Sequence, residues 1–414
     1  MAVGPAGATL ANASATTTAG GAATFSGLAL SGPVGSYRLQ TAFGTLTPDT
    51  TVAITLSPGP AAKLALTTQP SGSVQNAIAF PQQPVLQLQD ATGNNVSQAN
   101  VAVTPVIASG GGTLAPVTAV LTSASGAAAF SGLTITGTVG PRTLSFASGT
   151  LTGITSNTVT VTAGTATQIA VNGGNNQAAP AGTAVPIAPS VLVRDVSGNP
   201  VFGAAVTFAA PGTTNGVLTG PSQSTNTSGV ATAGSWTLST TPKPDTLTAT
   251  STGLAGSPVT FVDTAKVGAV AHIAKFSGDV VGPVSTTTVH DVLLTDANSN
   301  PVPNVTVTWV ARGGGTVNPA SSATDATGHA QTTRTLGLTP GQETTTAKAT
   351  LTGGLDSVTF NITAQVGGAS QMTLNGGDAQ TGTVGQTLPT PPSVRVADQF
   401  NNPVSGVTVN WVVS

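Results

Sequence analysis

Four stretches decide the fold: LQLQDATGNNV over Leu86–Val96, VLVRDVSGNPV over Val191–Val201, VLLTDANSNPV over Val292–Val302 and VRVADQFNNPV over Val394–Val404. Each is a short apolar run that stops at an aspartate, turns, and restarts on valine. The aspartates are Asp90, Asp195, Asp296 and Asp398, spaced 105, 101 and 102 residues apart. A period of that length is the size of one β-sandwich domain and too long for a solenoid unit.

A second marker follows each of the first three. It reads SGAAAF from Ser125, SGVATA from Ser228 and TGHAQT from Thr327, with GGAATF from Gly20 standing alone near the start. Its glycines, Gly21, Gly126, Gly229 and Gly328, lie 105, 103 and 99 residues apart. Between the markers runs an alternating segment. Val305-Thr306-Val307-Thr308-Trp309 shows it most plainly, and apolar residues at every second position are the signature of a half-buried strand. The same place holds Val206-Thr207-Phe208, Val407-Thr408-Val409-Asn410-Trp411 and, in the first full unit, Val101-Ala102-Val103. A short strand also opens each unit behind Gly59, Gly164, Gly268 or Gly367.

About seven strands per repeat predict two antiparallel sheets packed face to face. The expected fold is all-β, an extended tandem array of immunoglobulin-like sandwiches. The expected units are 60–163, 164–267 and 268–368, with residues 1–59 as the C-terminal half of a domain and 369–414 as the N-terminal half of another. The two halves together equal one repeat. The short joints predict close, stiff coupling between neighbours.

Composition narrows the function. Only 24 of 414 residues are charged, with Lys+Arg 11 and Asp+Glu 13. Typical soluble proteins carry about 25% charged residues. A net charge of −2 provides no electrostatic footprint for nucleic acid or an anionic membrane. There is no cysteine, so core packing alone must hold the domains together. No apolar run approaches the length of a membrane-spanning helix. The start, MAVGPAGATL, has neither the basic region nor the apolar core of a signal peptide. An exported protein would then have lost its signal, or the chain continues a longer one.

The run DANSNPVPNVTVTW from Asp296, followed by GGGTVNP and ATDATGHAQT, resembles the bacterial group 1 immunoglobulin-like domains of the invasin and intimin adhesins. DVSGNPVFGAAVTF with NTSGVATAGSWTL resembles them equally, and 60–163 more loosely, with Asn95 in place of the proline. The resemblance implies stalk domains that project from a bacterial surface.

The candidate sites are few. Asp90, Asp195, Asp296 and Asp398 are each followed four residues later by an Asn: Asn94, Asn199, Asn300 and Asn402. Such pairs cap turns by accepting backbone N–H bonds. A calcium site is the competing reading, but calcium takes 6–8 oxygens and each turn offers one carboxylate. Phe208, Trp309 and Trp411 are expected as core anchors. Carbohydrate-stacking platforms are the competing reading for Trp309 and Trp411, and Trp236 is the better candidate for an exposed aromatic. His272, His290 and His329 lack metal-ligand spacing, and His272 and His329 read as surface variation. No nucleophile elbow or carboxylate pair supports catalysis.

The expected function is therefore structural: an extracellular or cell-surface stalk or fibre subunit, not an enzyme, with no cofactor. Its expected partners are further copies, joined head-to-tail through the half domains, or the rest of a longer array. The alternative is an adhesin or glycan-binding module with a surface ligand.

Overall fold

In a computed structural model that describes residues 4–414, every element is a strand. The second unit shows the plan. One sheet joins Gln168–Gly173, Ser190–Arg194 and Val230–Thr232, in that order and antiparallel. The other runs Ala178–Pro180, Val259–Lys266, Lys243–Thr250, Ala205–Ala209, Ser222–Ser224. Its first strand lies parallel to Val259–Lys266 and the rest are antiparallel. The chain thus contributes its opening segment to both sheets and closes beside it, as an immunoglobulin-like sandwich does. Alternation sets the faces. In Ala205–Ala209 the buried residues are Val206 and Phe208, while Ala205, Thr207 and Ala209 face solvent. The inward residues meet in one apolar core that includes Val191, Val193, Phe208, Trp236, Leu247 and Phe261.

The first and third units repeat this arrangement. A two-residue insertion shifts the register in the first. Thr122 Oγ1 accepts the N–H of Val101, as Thr225 accepts that of Ala204 and Thr324 that of Val305. Counting from that anchor, Pro105 occupies the place of Phe208 and Trp309. Pro105 pairs with Phe146 as Phe208 pairs with Ala249 and Trp309 with Ala347. The first unit thus has no aromatic side chain at this place, and Val101-Ala102-Val103 precedes it.

The ends hold less sheet. Residues 369–414 form one antiparallel pair, Gln371–Gly376 with Ser393–Ala397. The segment from Val407 to Trp411 makes no strand. Trp411, expected in a core, is 60% exposed. The reason is topological: in a complete unit this strand is held by partners on both sides, and both come from the half that carries the second marker. Residues 4–59 form two strand pairs, Thr9–Ala11 with Ala29–Ser31 and Gly35–Tyr37 with Ile54–Leu56. Among the described residues, no helix is long and apolar enough to cross a membrane.

Candidate functional site: the joint between sandwiches

The marker turn is a tight hairpin. It is closed by Asp195 N–H donating to Asn199 O, and the same bond recurs at Asp90, Asp296 and Asp398. Its aspartate does more than cap. In the second unit Asp195 Oδ1 accepts the N–H groups of Ser197 and Asn199, both at 2.9 Å. Oδ2 accepts from Gly164 N–H at 2.9 Å, Asn199 Nδ2 at 2.9 Å and Asn76 Nδ2 at 2.8 Å. Gly164 belongs to the joint and Asn76 to the preceding sandwich. One buried carboxylate therefore ties together its own turn, the linker and the neighbouring unit.

The asparagine completes the tie. Asn199 Nδ2 donates to Gly137 O, and Asn199 Oδ1 accepts from Val139 N–H, each at 2.9 Å. A primary amide matches a backbone segment here as a sheet neighbour would. The donor half of this clasp appears at every joint, and the acceptor half also at the first. Asn94 bonds Gly32 O and Val34 N–H, each at 2.9 Å. Asn300 donates to Thr240 O and Asn402 to Leu338 O, both at 2.8 Å. The linker glycines Gly59, Gly268 and Gly367 donate to Asp90, Asp296 and Asp398 at 3.1, 2.9 and 3.0 Å. Glycine is required by space at the second joint, where a Cβ on Gly164 would lie 2.6 Å from Asn76 O.

Burial alone would raise the carboxyls of Asp195, Asp296 and Asp398. The converging N–H donors, led by the side chains of Asn199, Asn300 and Asn402, outweigh it and hold all three below the usual carboxylate range. At Asp90 the Asn94 side chain is the largest influence and the direction is the same. With donors filling both oxygens, the arrangement is built to accept N–H groups, and a cation would have to displace them.

The third residue of the turn varies, and with it the grip. Ser197 Oγ takes a second bond from Asn76, and Asn298 Nδ2 donates to Ala181 O of the second unit. At the last joint Phe400 stands there and packs against Val284, Leu336, Ile362 and Ala364 of the third unit.

The other expected residues fall as follows. Phe208 and Trp309 are buried, and Trp309 Nε1 donates to Ser322 Oγ at 2.9 Å. Trp236, the expected exposed aromatic, is fully buried and donates from Nε1 to Asn215 O at 2.9 Å. The reason is the strand pair Val217–Leu218 with Trp236–Thr237: its counterparts in the first and third units bury Ile135 and Arg334 at the same position, so the indole takes an inward-facing place. His272 is exposed and His329 half-buried, with Nδ1 3.0 Å from Asp291 Oδ1. His290 is fully buried. Sequence reasoning missed the receiving side of the clasp. Its signal was present for two joints, in Gly32-Pro33-Val34-Gly35 and Gly137-Thr138-Val139-Gly140. Elsewhere the acceptors are bare backbone carbonyls with no sequence mark.

Sheet order and joint geometry define the class: a tandem array of immunoglobulin-like sandwiches riveted by an Asp–Asn turn. Among solved structures the chain is similar to the Escherichia coli adhesin FdeC, with 18% identity over 75% of this chain and 100% of that one, at a TM-score of 0.43. It is similar also to invasin, a bacterial integrin-binding protein, with 18% identity over 76% and 62% of the two chains at 0.37. A third is domains 1–6 of the surface layer protein SbsC, with 14% identity over 96% and 53% at 0.24. No family profile matches the chain. No curated protein matches it either.

Proposed function

We propose that the chain is a structural stalk of extracellular, cell-surface immunoglobulin-like domains, with units 60–163, 164–267 and 268–368, whose work is to hold its neighbours at fixed angles. The carrying observation is the clasp: at all four joints the turn asparagine donates from Nδ2 to a backbone carbonyl of the preceding segment, and at two of them its Oδ1 also accepts a backbone N–H. A flexible tether would not invest a buried carboxylate and a donating amide in every linker. The near-neutral, hydroxyl-rich, cysteine-free composition supports an exterior setting and work other than catalysis. The test is inter-unit geometry. Spin labels on the first and second units of the full chain should give one narrow distance distribution, and Asn199→Ala should broaden it. A broad distribution in the unaltered chain rejects the stalk.

The finer reading concerns the two partial sandwiches, which we propose cover each other between copies, head-to-tail. Of 31 large exposed hydrophobic side chains among the described residues, 15 lie in 4–59 and 369–414, a quarter of the chain. The register fits as well. Val191 pairs with Ala231 and Ser190 with Thr232, and the corresponding positions of the two ends are Val394 with Ala23 and Ser393 with Thr24. Such strand addition between like chains does not close on itself and extends into a fibre. Light scattering should show mass growing with concentration, and deletion of 369–414 should abolish the growth. A strictly monomeric chain assigns those faces to adjoining sequence instead and leaves the stalk reading intact.

A further inference from the structure

His290 stands six residues before its marker aspartate, where the other units carry Pro84, Pro189 and Pro392. Proline has no N–H for the ladder and ends a strand. The strands after those prolines begin at Val85, Ser190 and Ser393 and are five residues long, whereas the third unit's runs unbroken over Thr287–Asp296. Pro84 and Pro189 are buried too, so the third unit sets an imidazole where its neighbours bury a proline ring.

It joins a polar layer there. Its cross-strand partner is Thr332, and the facing sheet contributes Thr345 opposite Phe360. The imidazole stacks on Phe360, ring centroids 4.3 Å apart. Beside this layer the buried pair Arg334–Glu343 closes at 2.6 Å. Both His290 nitrogens, Arg334 Nε and Nη1 and Thr345 Oγ1 are buried without a hydrogen-bond partner. The layer cuts the apolar interior in two: Trp309, Phe360 and their neighbours on one side, Val284, Leu336, Ile362 and Ala364 on the other. The first and second units each have one continuous core.

A neutral imidazole tolerates this setting. An imidazolium does not: its N–H groups find no acceptor, two cations stand near it, and the nearby acids are engaged by other partners. Arg334 lies on the adjacent strand, and Lys275 sits with Nζ 5.4 Å from the Phe360 ring. Glu343 is engaged by Arg334 and by Gly337 N–H, and Asp279 by Lys275 and Asn361. Asp291 points to the opposite face, toward His329 and Gln331.

We propose that the third sandwich is an acid-labile link in the array, opened by proton uptake at His290 while its neighbours stay folded. The direction follows from the environment. Burial first, and Arg334 second, lower the His290 pKa from 6.5 to about 4. A histidine with a depressed folded pKa supports the fold above its unfolded value, and that support is lost as pH falls from 6.5 toward 4. The clasp carboxylates, held low, stay charged across this window. Asp263 in the second unit is raised by burial, so its contribution has the opposite sign and weakens that unit as pH rises.

Hydrogen exchange on the full chain, corrected for intrinsic rates, is the test. Protection of Thr287–Asp296 should fall relative to Ser190–Arg194 by up to about tenfold per pH unit on acidification below the ordinary histidine pKa. His290→Leu should remove that fall. If that variant does not fold, the within-chain comparison still decides. Parallel changes in the two units, or a fall that survives in His290→Leu, overturn the proposal.

Discussion

The second and third sandwiches share one frame and fill it differently. Leu247 faces Phe261 across a strand pair in the second, and at the corresponding pair in the third Thr345 faces Phe360. One step toward the sandwich end, Asp245 lies opposite Asp263 in the second unit and Glu343 opposite Ile362 in the third. Both units bury acidic groups near the joint. In the second, Asp245 is met by Lys243 and by Ser239 N–H, and Asp263 by the backbone and side chain of Gln177. In the third, Glu343 is bound by Arg334 from the facing sheet, which draws polar atoms to the middle of the core. The backbone scheme is thus set by alternation and turns, and the interior is free to vary as long as its buried acidic groups are hydrogen-bonded or paired.

The largest expected effect breaks the comparison at its apolar side. Trp309→Ala should cost the third unit about 3–5 kcal/mol, the usual range for emptying a buried aromatic. Calorimetry of the full chain should show the third unit's transition fall while the second stays in place. Coincident loss of both would show that the joints make the units fold as one.

Asp195→Ala should come next. It leaves the Gly164, Ser197 and Asn76 donors unpaired beneath the joint, at about 1–3 kcal/mol for each group that water cannot reach. The expected signature is shared destabilisation of the first and second units, because both supply donors. An effect confined to the second unit would reduce the clasp to a local turn cap.

Thr345→Leu tests the polar layer directly. It removes an unpartnered hydroxyl and supplies the side chain that the second unit has at Leu247. The third unit should gain about 1 kcal/mol, of the order of one buried methylene. A loss instead would mean that no space is left for the larger side chain.

The smallest expected effect is none at all. If N–H donors saturate the four turn carboxylates, melting in excess chelator and in millimolar calcium should coincide. A ligand that binds only the folded form must raise the melting temperature, so any calcium-dependent rise would return the turns to the metal reading.

By itself, the amino-acid sequence determined the period, the sandwich architecture, the turn chemistry and the buried places of Phe208 and Trp309. These are local: alternation of apolar residues, glycine and proline at turns, and an aspartate four residues before an asparagine repeat the same short-range solution in each unit. Only the tertiary structure decided what those solutions meet. It carried Asn199 to the backbone of Gly137 and Val139, turned Trp236 inward from its strand pair, left Trp411 uncovered, and stacked His290 on Phe360. Each outcome depends on groups far apart in the chain, and backbone acceptors in particular leave no trace in residue type. The sequence specifies which groups need partners, and packing in three dimensions decides who the partners are.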